Sequence, residues 1–388
     1  MEWVKLGEIA SLITKGTTPT TLGFDFVDEG INFIKIESLS EEGSFISNKF
    51  NHITSECDNK LSRSRLQRND LLFSIAGAIG RTAIVTDDIL PANTNQALAL
   101  IRIPEEVINY SYLKYVLQSS VVSDQFEKRK QGVAQLNISL KDVANFNIPL
   151  PSQAEQQMIV EILGGVEVII SLRKQQLAKL EELVKSRFIE LFGDPVKNDM
   201  GWACKPLNDV CDGIGDGLHG TPVYDDNGDY PFINGNNLND GKIVITPATK
   251  MVAAETYEKH FINISLNAIL ISINGTLGKL AFYNGEKVML GKSACYCNLQ
   301  QNINKVFVYG VMKSDTFAEF LENSSTKSTI KNVGLKAMRE FMLILPPREL
   351  QEQFATFVEE TDKSKLAVQQ SIDQLETLKK SLMQKYFG

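Results

Sequence analysis

The chain has 388 residues, 43% apolar and 22% charged, the profile of an ordinary soluble globular protein long enough for two or three domains. No apolar run approaches the roughly 18 residues of a membrane span, and the opening MEWVKLGEIA lacks a basic-then-apolar leader, so a cytoplasmic location without a membrane partner is expected. A net charge of -7 gives no general reason to expect nucleic acid, although a basic face can coexist with acidic surface elsewhere.

In chain order, LLFSIA (71–76), TAIVTD (82–87), ALALIRI (97–103) and NFNIPLP (145–151) are short apolar runs bounded by Gly, Asn and Pro, and read as strands. A helix is expected between them, from Tyr110 to Lys128. Pro151-Ser152-Gln153-Ala154-Glu155 then supplies a capping box, Ser152 with Glu155 three residues on. The helix it opens closes at Phe192-Gly193-Asp194-Pro195, with Gly in the C′ position and Pro preventing continuation. Within it Leu163, Ile170, Leu177, Val184 and Leu191 recur every seven residues, interleaved with Ile159, Val166 and Leu180, which is a coiled-coil seam.

From residue 202 the pattern starts again. Trp3-Val4-Lys5-Leu6 corresponds to Trp202 and Lys205-Pro206-Leu207, and Gly16-Thr17-Thr18-Pro19 to Gly220-Thr221-Pro222. NDLLFSIAGAIGRTA (69–83) matches NAILISINGTLGKLA (267–281), NISLK (137–141) matches NVGLK (332–336), and KSRFIELFG (185–193) matches KSLMQKYFG (380–388). Order is kept throughout, so the chain is a tandem duplication. AILISI, KLAFYN, SACYCNL and FMLIL read as the second set of strands, with a helix from Val311 to Asn323. A second seam follows: Phe354, Thr361, Val368, Leu375 and Leu382, with Val358, Ile372 and Tyr386 between. Arg173, Arg187, Lys365 and Lys379 interrupt the seams and are expected to snorkel at their edges.

The expected class is α+β: two tandem-duplicated, sheet-rich mixed globules (1–150 and 196–345) separated by two long helices (151–195 and 346–388). The helices are expected to form an antiparallel coiled coil with pseudo-twofold symmetry, since neither buries its stripe alone. Two domains with tails that dimerise with another chain is the alternative.

Searches for catalytic patterns return nothing. Leu345-Pro346-Pro347-Arg348 is not an adenine methyltransferase motif, Gly275-Thr276-Leu277-Gly278-Lys279-Leu280 ends in Leu where a phosphate loop needs Ser or Thr, and there is no HExxH. Five cysteines without a CxxC pair read as free thiols, and three scattered histidines make no metal site. The globules are read as binding surfaces.

Ser74-Ile75-Ala76-Gly77-Ala78-Ile79-Gly80-Arg81 and Ser272-Ile273-Asn274-Gly275-Thr276-Leu277-Gly278-Lys279 share one plan, a strand ending in Ser, two glycines and a cation. They are either plain hairpins or phosphate-approaching loops, which makes Ser74, Gly77, Arg81, Ser272, Asn274 and Lys279 candidates. QFEKRKQGVAQLN (125–137) groups Lys128, Arg129 and Lys130 with Gln135 and Asn137, and the second copy offers Lys327 and Lys331 there. Cations suit phosphates and amides pair with adenine, while a solvated helix end is the plainer reading. IKIESLS (34–40) faces INGNNLN (233–239), adding Lys35 in one copy and Asn234, Asn236 and Asn237 in the other. Shared framework with different loop chemistry suggests two surfaces reading two targets.

The chain as a whole resembles the specificity subunit of type I restriction–modification enzymes. The residues that carry the likeness are the duplicated globule, LLFSIAGAIGRTA with NTNQALALI, IPLPSQAEQQMIVEIL, and RFIELFGDPVKNDMGW leading into the second copy. Gly16-Thr17-Thr18-Pro19 and His219-Gly220-Thr221-Pro222 resemble the family's Gly-x-Thr-Pro loop near DNA, the first with one extra threonine, which brings in Lys15, Thr17, Thr18, His219 and Thr221. The resemblance implies a non-catalytic subunit of an endonuclease and adenine methyltransferase complex. Two target recognition domains would each read half of a bipartite double-stranded DNA site. Two conserved helices would set the spacer and dock two methyltransferase subunits. It also implies restriction/translocase partners and no cofactor on this chain; S-adenosylmethionine, ATP and magnesium would belong to the partner subunits. The alternative is a duplicated protein-binding scaffold.

Overall fold

The computed structural model describes residues 2–127, 137–195 and 197–388. They form two compact units, Met1–Lys174 with Gln370–Gly388 and Gln175–Gln369.

Unit 1 contains strands β1 (Glu2–Lys5), β2 (Leu12–Lys15), β3 (Ile31–Ile34), β4 (Asn51–Ile53), β5 (Leu71–Ser74), β6 (Thr82–Ile84), β7 (Ala92–Thr94), β8 (Leu98–Arg102) and β9 (Asn147–Leu150). Its helices are α1 (Leu6–Ile9), α2 (Ser55–Lys60), α3 (Tyr110–Gln118), α4 (Ser120–Glu127) and α5 (Leu140–Ala144), with the start of α6 (Gln153–Phe192). An antiparallel sheet runs β2-β8-β5-β6, a second sheet runs β4-β3-β7 with β3 and β7 parallel, and β1 pairs with β9. The apolar run at 71–73 exists because β5 is covered on both faces. Leu71 and Phe73 join a core with Ile101, Tyr112 and Val116, while Leu72 packs on the other side with Leu98 and Leu100.

Unit 2 repeats this plan. Its strands are β10 (Ala203–Pro206), β11 (Cys211–Asp216), β12 (Tyr230–Ile233), β13 (Leu238–Asn239), β14 (Lys242–Ile243), β15 (Met251–Val252), β16 (Ala268–Ser272), β17 (Leu280–Phe282), β18 (Met289–Leu290), β19 (Ala294–Leu299) and β20 (Met342–Leu345). Its helices are α7 (Ala254–Lys259), α8 (Lys305–Met312), α9 (Asp315–Ser324) and α10 (Leu335–Glu340), with the end of α6 and the start of α11 (Arg348–Phe387). The sheet orders β11-β19-β16-β17, β15-β12-β18 and β10-β20 reproduce those of unit 1, with one added hairpin, β13-β14. The duplication read from sequence is thus a duplication of topology.

The expected single helices at 110–128 and 311–323 are each interrupted. Ser119 takes extended backbone between α3 and α4 and its Oγ donates to the Val116 carbonyl at 2.6 Å. Ser314 does the same to Val311 at 2.6 Å and caps α9 by accepting from Phe317 N at 3.3 Å. A serine hydroxyl competing for main-chain groups breaks a helix where the apolar pattern alone continues.

α6 opens with the capping box, Ser152 N donating to Glu155 Oε2 at 3.0 Å and Glu155 N to Ser152 Oγ at 3.4 Å. It ends on Gly193 at φ 71°. In unit 1 the first half of α6 runs antiparallel to the last part of α11. Lys379 pairs with Glu167 at 2.6 Å and Lys174 with Glu376 at 3.8 Å, so residue numbers rise on one helix as they fall on the other. In unit 2 the same geometry recurs at the opposite ends, where Phe188 and Phe192 meet Phe354 at 5.4 and 5.6 Å and Arg187 lies over Phe357.

Leu163, Val166, Ile170, Val368 and Ile372 are buried, with Ile159, Phe354 and Thr361. Leu177, Leu180, Val184, Leu191, Val358, Leu375 and Leu382 are half-buried. The interrupting cations lie at the edges, Lys365 on Asp362 at 3.3 Å and Arg187 on Glu190 at 2.7 Å. The matched endings also acquire a reason. Phe192 packs on Phe307 of α8 at 4.8 Å, and Phe387 on Tyr112 of α3 at 5.7 Å, so each long helix ends by inserting a phenylalanine into a core.

Candidate nucleic-acid interface

In unit 1 three of the loops singled out from sequence meet at the tight turn between β7 and β8. Gly16, the residue after β2, donates to the Asn95 carbonyl at 3.1 Å and lies so close to β7 that an added Cβ would sit 1.6 Å from the Thr94 carbonyl oxygen. Only glycine fits there. Thr18 Oγ1 donates to Gln96 Oε1 at 2.6 Å, which fixes the threonine loop and leaves the Gln96 amide nitrogen without a partner among the described residues. Ile75, at the base of the Gly77–Gly80 loop, donates to Ala97 O at 2.9 Å, and the methyl end of Ile36 lies under Gly77.

The β18–β19 turn does the same in unit 2. A Cβ at Gly217 would sit 2.0 Å from the Leu290 carbonyl oxygen. Ser293 Oγ donates to Asn234 Oδ1 and accepts from Gly235 N, both at 2.9 Å, and Ile273 N donates to Ser293 O at 3.1 Å. The steric equivalent of Gly16 is therefore Gly217, not the Gly220 chosen by matching Thr-Pro. The second copy has two more residues between this glycine and its proline, and they carry His219 outward, where it meets Asp216 at 2.8 Å.

The candidate side chains divide by what already holds them. Ser74 and Ser272 are buried. Ser74 Oγ donates to Ala78 O and accepts from Arg81 N at 2.8 Å, and Ser272 Oγ donates to Thr276 O, so both close their loops and neither reaches outward. Asn237 is spent inside its loop, accepting from Asn234 N and donating to Val244 O, each at 3.0 Å. Gly77 and Gly275 are exposed at φ 66° and 77°, the left-handed turn conformation. Arg81 is half-buried, with Nη1 on Leu39 O at 3.2 Å and Nη2 3.6 Å from Glu41. Lys279, its counterpart, has no side-chain partner among the described residues, being engaged only through its carbonyl.

Lys35 lies over the Phe26 ring at 4.9 Å and pairs with Glu37 at 3.4 Å, while Lys15 and Thr17, on either side of Gly16, are half-buried. Thr221, Asn236 and Asn137 are exposed. Asn274 Nδ2 donates to Asn332 Oδ1 at 3.1 Å and Gly275 N to Lys331 O at 2.9 Å, which joins the glycine loop to the segment after α9. Lys331 is held by Glu322, and Lys327 is exposed on that segment. Lys128, Arg129, Lys130 and Gln135 lie outside the described residues.

Sequence reasoning missed Gln96, Arg63, Lys292 and Ser293. Arg63 reaches the Lys15 carbonyl at 3.4 Å from a turn far away in sequence, and Lys292 and Gln96 are exposed on the two organising turns. The signal for Gln96 was the polar tetrad Asn93–Gln96 between two apolar strands. Each unit thus presents an edge of amides, hydroxyls and cations held on a rigid turn, a donor and acceptor set suited to phosphates and base edges. Groups of acidic, histidine or cysteine side chains able to hold a metal ion are absent among the described residues.

The family model for the type I restriction modification DNA specificity domain matches twice, at residues 1–182 and 200–377. The EcoBI specificity subunit of Escherichia coli is 34% identical over 177 residues, 43% of this chain and 36% of that protein, so the match spans about a third of this relative's length. The MjaIX specificity subunit of Methanocaldococcus jannaschii is 23% identical across 98% of this chain and 90% of its own. A solved chain from a study of complex assembly and conformational transition in the type I R-M system has the same fold, with a TM-score of 0.64 at 20% identity over 100% of this chain and 97% of that one. The S subunit from M. genitalium superposes with a TM-score of 0.52 at 14% identity, over 100% of this chain and 96% of that one.

Proposed function

The chain belongs to the family of type I restriction–modification DNA specificity domains, and from that premise we propose that it is the sequence-reading subunit of such a complex. Each unit reads one half of a bipartite double-stranded DNA site with the loops gathered on its β7–β8 or β18–β19 turn. The carrying observation is that the same glycine-anchored hub is built twice and furnished differently, with Thr17, Thr18 and Gln96 in one unit and His219, Asn234 and Ser293 in the other. Identical scaffolds hold position; different side chains give different letters.

The reading makes α6 and α11 the elements that set the spacer and dock two methyltransferase subunits. Support comes from an exposed apolar face on α6 in unit 1, Met158, Ile162, Ile169 and Leu172, spaced as one side of a helix. At the corresponding places α11 carries Gln353, Phe357, Ser364 and Ala367. Methylation, translocation and cleavage, with S-adenosylmethionine, ATP and magnesium, then belong to the methyltransferase and restriction subunits. Methylome sequencing of cells expressing the chain with its partner genes should return one asymmetric two-part sequence, and exchanging residues 1–150 for those of a relative should change one part alone. Salt-insensitive DNA affinity of the assembled complex, or a methylome with no two-part motif, would overturn the reading.

A further inference from the structure

Two glutamines are buried at corresponding places in the repeat. Gln156 is 1% exposed and Gln351 2%, and each lies in the first turns of a long helix. Gln156 Nε2 donates to the Pro151 carbonyl at 3.0 Å and its Oε1 accepts from Asn109 N at 2.8 Å. Gln351 Nε2 donates to Pro346 O at 2.9 Å and its Oε1 accepts from Asn304 N at 3.0 Å. Asn109 and Asn304 are in turn the N-caps of α3 and α8, accepting from Ser111 N and Val306 N at 2.9 Å.

Each glutamine therefore satisfies two main-chain groups that no helix or sheet would pair, one at the end of a strand and one at the start of a core helix. The strand end is already tied covalently to the long helix. The N-cap is not, and it supplies the second fixed point that a direction requires. Apolar contacts around Ile159 and Leu163 hold the helix down but are non-directional. α6 and α11 have 40 residues each. At ~1.5 Å per residue such a helix is roughly 60 Å long, so a pivot of about 5° moves its far end by about 5 Å, more than the ~3.4 Å between base pairs.

We infer that Gln156 and Gln351 are positioning residues that fix the direction in which each long helix leaves its domain, and through it the spacer length the subunit accepts. The inference rests on the specificity-subunit reading and adds to it a structural origin for spacer choice.

The test uses the complex of the full chain with its partner subunits, methylating plasmids that carry the native half-sites at varied separation. Gln156→Met and Gln351→Met keep side-chain length and lose both hydrogen bonds. Gln156→Glu keeps an acceptor for Asn109 N but sets a second carboxylate oxygen against the Pro151 carbonyl. The half-site letters should stay unchanged while preference for the native spacer over one a base pair longer or shorter falls about tenfold. Ile101→Ala, in the same core, should lower Tm and leave that preference intact. Met variants that keep the preference, or an Ile101→Ala variant that relaxes it equally, would overturn the inference. If the Met variants do not assemble, the same ratio measured on Gln156→Glu decides. A wild-type complex that methylates no two-part sequence would remove the specificity-subunit reading instead.

Discussion

Lys279→Gln isolates one charge at the proposed interface. Lys279 and Arg81 hold matching positions after matching glycine loops, yet the Arg81 guanidinium already has Leu39 O and Glu41 as neighbours while Lys279 has none among the described side chains. A phosphate contact releases counterions, and each one contributes about 0.9 to the slope of log affinity against log salt. Losing one contact lowers the slope by that amount, so the ratio of wild-type to variant affinity shrinks by about 3.5-fold between roughly 50 and 200 mM salt. Arg81→Gln should show less, because its cation is partly neutralised in place. Fluorescence anisotropy of the assembled complex on its cognate duplex at four salt concentrations gives both slopes. A Lys279→Gln slope equal to wild type, with Arg81→Gln the steeper loser, would refute the assignment of free and engaged cations.

Three further outcomes are expected. Gly16→Ala and Gly217→Ala should each lower Tm and weaken DNA binding, because the added carbon collides with a main-chain carbonyl rather than a side chain; an unshifted melting curve would contradict the packing. Maleimide under native conditions should label Cys204 quickly and the other four thiols slowly, since Cys204 alone is exposed and burial pushes the Cys57 and Cys211 thiols up from their ordinary range; mass spectrometry showing a fast second label would contradict the buried placement. Ile162→Ser with Ile169→Ser should remove one methyltransferase copy before the other in native mass spectrometry, because α11 carries Phe357 and Ser364 at the matching places. Simultaneous loss of both copies would count against the α6 face as a docking site.

The legible features were those that repeat or punctuate. The strand at 71–74, the cap at Ser152 and the stop at Gly193 each leave a local chemical mark, and the strand recurs in the second copy at 268–272. The breaks at Ser119 and Ser314 leave none, because serine is an ordinary helix residue until its hydroxyl takes a carbonyl. The Thr-Pro match attracted the wrong glycine, since composition outweighed a steric demand visible only once β7 lies beside β2. Nothing local singles out Gln156 among the polar residues that open the helix; its recurrence as Gln351 was the available clue. Unit 1 also holds an ion pair between segments that no spacing rule connects, Asp70 with Arg102 at 2.6 Å.

The contribution of residues 370–388 to unit 1 has a consequence for biosynthesis. Unit 2 is one unbroken stretch and can close as soon as residue 369 clears the ribosome. Unit 1, although its first strand is translated earliest, waits for Phe387 to reach Tyr112. A chain released after residue 369 would therefore hold its older part unfinished and its younger part folded.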